Sequence, residues 1–111
     1  MNPSSPAPGA TPDEADGVRL IDVRRAAAYA QSDLALAGAE WRDPVQVEAW
    51  AAEVAQASNG RPVIVYCVHG HEVSQTTAAR LRAAGIDAHY LVGGIEGWRA
   101  EGRPVVAKTR G

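Results

Sequence analysis

The chain has 111 residues, enough for one domain with a buried core and too few for two independent ones. Eleven Lys and Arg against 13 Asp and Glu leave a net charge of −2 with no basic block, which argues against a nucleic-acid partner held through phosphates. A single cysteine rules out an internal disulfide and suits a reducing compartment, so the cytoplasm is the expected location.

The opening stretch, MNPSSPAPGATPDEADG, has neither the basic start nor the apolar middle of a secretory leader. No run of about 18 apolar residues follows anywhere, so no membrane partner is expected. Rich in proline and poor in large apolar side chains, residues 1–16 are expected to form a disordered tail. The domain is expected over residues 17–107, with a C-terminal tail at 108–111.

RLIDVR, residues 19–24, reads as a buried strand, and RRAAAYAQ after it as a short helix with Tyr29 on its inner side. The segment up to Trp41 is punctuated by Gly38 and predicts a loop with a brief strand at residues 39–41. Asp43, Pro44 and Gln46 stand in the order that starts a helix, and Val47, Trp50, Ala51 and Val54 then recur on one face. Ser58, Asn59 and Gly60 supply the stop, so a helix is predicted over about residues 44–57. PVIVY, residues 62–66, is apolar without alternation, as in a central strand covered on both faces. A helix over residues 74–84, a strand over 87–92 and a short Gly-Gly-led helix complete the order. Strands alternating with helices predict an α/β fold with a mostly parallel sheet and helices on both faces.

In such sheets ligands bind outside the carboxyl ends of the strands, and Cys67 stands at one of these ends, before a helix. The segment from Cys67 to Ser74 is a strand-loop-helix turn in which Gly70 lets the backbone curl, so that successive N–H groups can form a nest for an anion. The dipole of the following helix adds to the nest, and both favour a thiolate nucleophile. The alternative is a buried packing cysteine, since free cysteine behaves as a small hydrophobe.

Several motifs in order resemble those of the single-domain rhodaneses, sulfurtransferases of the thiosulfate type. LIDVR, residues 20–24, is similar to a family strand, with Asp22 and Arg24 at its characteristic positions, and Tyr29, Gly38 and Ala39 are similar to the weaker segment after it. YCVHG, residues 66–70, resembles the active-site loop, and GGIEGWRAEGRPV, residues 93–105, the closing signature. The resemblance covers about residues 18–105 and implies a rhodanese-like sheet of four or five strands, because little chain precedes LIDVR for the family's first strand and helix. It implies that Cys67 takes a sulfane sulfur from a small donor such as thiosulfate, holds it as a persulfide and passes it to a thiophilic acceptor, with no metal and no cofactor. The loop backbone of Val68, His69, Gly70, His71, Glu72, Val73 and Ser74 would bind the substrate. A protein serving as sulfur acceptor is a further option.

Around this loop the residues leave choices open. Cys67, His69 and His71 spell a C-x-H-x-H run, but three ligands within five residues cannot readily surround a tetrahedral ion, and a metal site is not expected. His71 suits the rim. Glu72 departs from what an anion-binding loop wants: its carboxylate would repel thiosulfate unless it points to solvent or pairs with a cation. Arg42 is either the positive charge of the mouth or a solvated surface residue, and Asp22 with Arg24 is read as a scaffold ion pair. Phosphatases built on a cysteine loop need an arginine six residues after the cysteine, where Val73 stands here. A non-catalytic interaction module of the same fold is the rival from another class.

Overall fold

The computed structural model describes residues 9–15 and 18–108. Its centre is a five-stranded parallel sheet built from β1 (Gly9–Ala10), β2 (Arg19–Asp22), β4 (Glu40–Trp41), β5 (Val63–Tyr66) and β6 (Ala88–Leu91), in the spatial order β1-β6-β5-β2-β4. A two-stranded antiparallel ribbon pairs β3 (Leu34–Ala35) with β7 (Val106–Ala107). The helices are α1 (Ala26–Gln31), α2 (Val47–Ser58), α3 (Glu72–Ala83) and α4 (Gly94–Ala100). No helix is long and apolar enough to cross a membrane among the described residues.

The period-two geometry of β5 divides the core. Val63 and Val65 face a cluster with Trp50, Val54, Ala78 and Leu81, which places α2 and α3 on one side. Ile64 and Tyr66 face the other, where Leu36, Leu91 and Ile95 of α4 meet Ala10 and Ala15. All four residues of β5 are buried, as its lack of alternation predicts for a central strand.

Local chemistry explains the element ends. Asp43 Oδ1 accepts from Val45 N at 3.0 Å, and Pro44 opens a 3₁₀ turn that runs into α2. Asn59 closes α2 in the left-handed region at φ 52°. Helix α3 begins at Glu72, two residues ahead of expectation, so Glu72, Val73 and Ser74 form its first turn. An acidic side chain there is favoured by the helix dipole.

The N-terminal boundary needs correction. Instead of belonging to a disordered tail, Gly9–Ala10 adds a parallel strand to β6, with Val92 N donating to Ala10 O at 2.9 Å. Pro12–Ala15 follows as a 3₁₀ turn whose Thr11 N donates to Glu14 Oε1 at 2.8 Å. Small residues hide this strand from hydropathy patterning: Ala10 and Ala15 are buried but carry one methyl group each. At the edge, a Cβ on Gly9 would come within 2.7 Å of the Val92 side chain. The sheet therefore has five strands. The tail expected over residues 1–8 and 16 lies outside the described residues. At the other end Lys108 belongs with the domain, since its N–H donates to Asp33 O at 2.9 Å, while 109–111 lie outside the described residues.

Candidate active site

Beyond the carboxyl ends of β2 and β5 the chain forms the loop that carries Cys67. The thiol is buried at 6 % exposure, and its Sγ lies 3.2 Å from the hydroxyl of Ser74, which is wholly buried. Tyr66, immediately before it, is anchored by its hydroxyl, which donates to Asp22 Oδ2 at 3.1 Å and accepts from Leu36 N at 3.2 Å. Burial and the neighbouring Asp22 carboxylate push the Tyr66 phenol well above its ordinary range, so it stays neutral and the last residue of β5 is held in place.

Two glycine turns set the loop's direction. Gly70 has φ +74°, and a Cβ there would lie 2.7 Å from Gly93 N and Leu91 O. Gly94 has φ +60°, and a Cβ there would lie 2.5 Å from the carbonyl oxygens of Cys67 and Val68. Only bare backbone lets the start of α4 reach under the loop, where Ile95 N donates to Cys67 O and Glu96 N to Val68 O, each at 3.0 Å. Those bonds pin the carbonyls of Cys67 and Val68 to the start of α4. At the start of α3 the first bond runs from Gln75 N to His71 O, and the N–H groups of residues 72–74 have no intrahelical acceptor. Gln75 Nε2 donates to Gly70 O at 3.0 Å and fixes the crest of the loop. An anion on or beside Sγ would thus meet amide dipoles and a helix N-terminus.

A cavity of about 290 Å³ opens at the thiol, lined by Arg24, Arg25, Ala28, Cys67, Val68, His69, His71, Glu72 and Val73. His69 and His71 are exposed on its rim, with ring centroids 5.8 Å apart. Glu72 is exposed and borders both this cavity and a second one of about 330 Å³ between α2 and α3, which also shares Arg25 and Val73.

Arg42 does not supply the charge of the mouth. Its guanidinium pairs with Glu40 at 2.8 Å and with Glu53, and it does not line the cavity at Cys67. The cation that does, besides Arg24, is Arg25, which a reading of the sequence alone passes over. The available signal is its place, directly after Asp22-Val23-Arg24 at a strand's carboxyl end.

Asp22 and Arg24 form a pair 1 % and 2 % exposed, with Arg24 Nη2 at 2.6 Å from Asp22 Oδ2 and Nε at 3.0 Å from both carboxylate oxygens. Burial alone would lower the guanidinium's pKa, but its hydrogen bonds and charge pairing with Asp22 outweigh that and raise it, so the charge persists inside. Arg24 also donates to Leu34 O at 2.9 Å, and its carbonyl accepts from Trp41 Nε1 at 2.8 Å. Tyr29 stacks on Trp41 with centroids 5.0 Å apart. The pair therefore ties the end of β2 to α1, β3 and β4 and fixes the backbone from which Arg25 projects.

The profile of the rhodanese-like domain matches residues 10–101. The chain belongs to the rhodanese-like domain family. The start of the match agrees with the strand at Gly9–Ala10. No curated protein matches this rhodanese domain. Among solved structures, it is similar to a thiosulfate sulfurtransferase from Pseudomonas aeruginosa with TM-score 0.71 and 25 % identity, over 91 % of this chain and 19 % of that one. A rhodanese-related protein from Thermoplasma volcanium superposes with TM-score 0.71 at 19 % identity, covering 91 % of this chain and 99 % of that one. A protein of unknown function from Rhodopseudomonas palustris, described as a possible tyrosine phosphatase, gives TM-score 0.76 at 19 % identity, over 90 % of this chain and 85 % of that one. At 19 % identity the last two likenesses speak for the fold alone.

Proposed function

We propose that this rhodanese domain is a sulfurtransferase that carries a sulfane sulfur on Cys67. The observation that supports the reading most is the placement of the chain's one thiol: directly after the central strand, lining a small cavity, and in the loop that leads into a helix N-terminus. With thiosulfate as donor, the Cys67 thiolate attacks the outer sulfur and an Sγ–S bond forms. The donor's S–S bond breaks, and sulfite leaves with its electron pair. A thiophilic acceptor then attacks the terminal sulfur of the persulfide and the Cys67 thiolate departs, ready for another cycle. The terminal persulfide sulfur carries the negative charge between the half-reactions, and the amide nest stabilises it as it would a thiolate. A small-molecule donor and acceptor suit the cavity, and a protein acceptor would approach the same mouth.

Phosphatase chemistry does not fit the loop, because Val73 stands where that chemistry needs an arginine to clamp an oxyanion. The test is incubation with thiosulfate and cyanide. Thiocyanate should form with ping-pong kinetics and be abolished in Cys67→Ser. Turnover that persists in Cys67→Ser would remove the assigned role of the thiol.

A further inference from the structure

The cavity at Cys67 has an unusual balance of charge for a site that receives anions. Arg24 is neutralised by Asp22 at 2.6 Å. In the adjoining cavity Arg80 and Glu48 neutralise each other at 2.5 Å. Among the described residues, the side chains left without an ion-pair partner around the mouth are one cation, Arg25, and one anion, Glu72, with His69 and His71 on the rim. The same cavity is lined by the apolar side chains of Ala28, Val68 and Val73. Thiosulfate brings two negative charges and nothing for Glu72 to bind. A ligand with a carboxylate, an ammonium group and a short apolar stem would satisfy Arg25, Glu72 and the wall together.

Resting on the sulfur-transfer reading above, we infer that Arg25 and Glu72 select a small zwitterionic persulfide, of the amino-acid type R–S–SH, as the sulfur donor to Cys67. Arg25 takes the carboxylate, Glu72 takes the ammonium, and the stem lies against Ala28 and Val73. The Cys67 thiolate attacks the terminal sulfur of the donor; its S–S bond breaks as the new Sγ–S bond forms. The leaving thiolate takes the donor's proton as R–SH, so the product is the Cys67 persulfide anion and no external oxidant or reductant enters. Glu72 at the same time disfavours dianions, which makes its position a device for selection as well as a favourable first-turn residue of α3.

Loading of Cys67 is measured on the full chain by rapid quench and mass spectrometry, with persulfides of cysteine, N-acetylcysteine, cysteamine and 3-mercaptopropionate, glutathione persulfide, and thiosulfate. Both charged groups are exposed, so each contact is screened and should contribute about threefold to fivefold in kcat/KM. Cysteine persulfide should exceed N-acetylcysteine and 3-mercaptopropionate persulfides, which lack the ammonium, and cysteamine persulfide, which lacks the carboxylate. Glu72→Gln should abolish the ammonium preference and raise loading from thiosulfate; Arg25→Gln should abolish the carboxylate preference. Preference for cysteine persulfide over glutathione persulfide supports a small amino-acid donor, and the reverse preference overturns it while leaving sulfur transfer standing. Equal loading by all the persulfides, unchanged in both variants, overturns the inference and leaves sulfur transfer standing. No loading from any donor overturns sulfur transfer itself, and the inference with it.

Discussion

Ser74 is the polar side-chain partner of the Cys67 thiol. Its hydroxyl lies 3.2 Å from Cys67 Sγ, on the first turn of α3, and it can donate to a thiolate or to the sulfur of a persulfide. Hydrogen bonds to charged groups contribute about 1.5–3 kcal/mol, so Ser74→Ala should slow sulfur loading of Cys67 by about tenfold to a hundredfold. Single-turnover kinetics checks this; an unchanged rate would show that the amide nest alone holds the sulfur. The cysteine and its loop are legible in the sequence because a lone thiol at a strand end before a helix is a local pattern. The partner hydroxyl is hidden among the loop's backbone contacts, and the charge at the mouth is harder still: the sequence points to Arg42 and passes over Arg25. Arg42 is occupied by Glu40, two residues before it, and by Glu53, which only the fold brings from α2.

At the scale of elements, the loop depends on how three chain segments are tied at the carboxyl edge of the sheet. The buried Asp22–Arg24 pair joins β2 to Leu34 and Trp41, and the Tyr66 hydroxyl joins it to β5. Removing one member of a buried pair leaves an unpaired charge, at a cost of about 3–5 kcal/mol. Arg24→Met is therefore expected to lower the urea unfolding midpoint by that equivalent at neutral pH. A loss below about 1 kcal/mol would mean that water reaches Asp22 and that the pair is not the tie described. The ion pair is foreshadowed in LIDVR, since two opposite charges two residues apart in an apolar strand need each other. Its links to Leu34 and Trp41 involve main-chain carbonyls, which no side-chain pattern reports.

For the whole molecule, the order of strands and helices predicts the parallel sheet, because apolar runs of the right length alternate with amphipathic ones. The edge strand escapes that logic. Gly9 and Ala10 carry almost no apolar surface, and their place is set by hydrogen bonding to β6 and by the close fit of Gly9 against Tyr90 and Val92. Deleting residues 1–15 should expose that edge of β6 and the surface under Ala10 and Ala15. The melting temperature is expected to fall on the order of 5–10 °C, read by circular dichroism. An unchanged melting temperature would restore the disordered tail for this segment.

Sulfur transfer through Sγ of Cys67 can be read on the intact protein by mass spectrometry. After brief exposure to a sulfane donor and removal of the excess, the protein should gain the mass of one sulfur atom, confined to the peptide containing Cys67 and lost on mild reduction or on adding cyanide. A protein that gains no sulfur from thiosulfate or from any persulfide while remaining folded would contradict it.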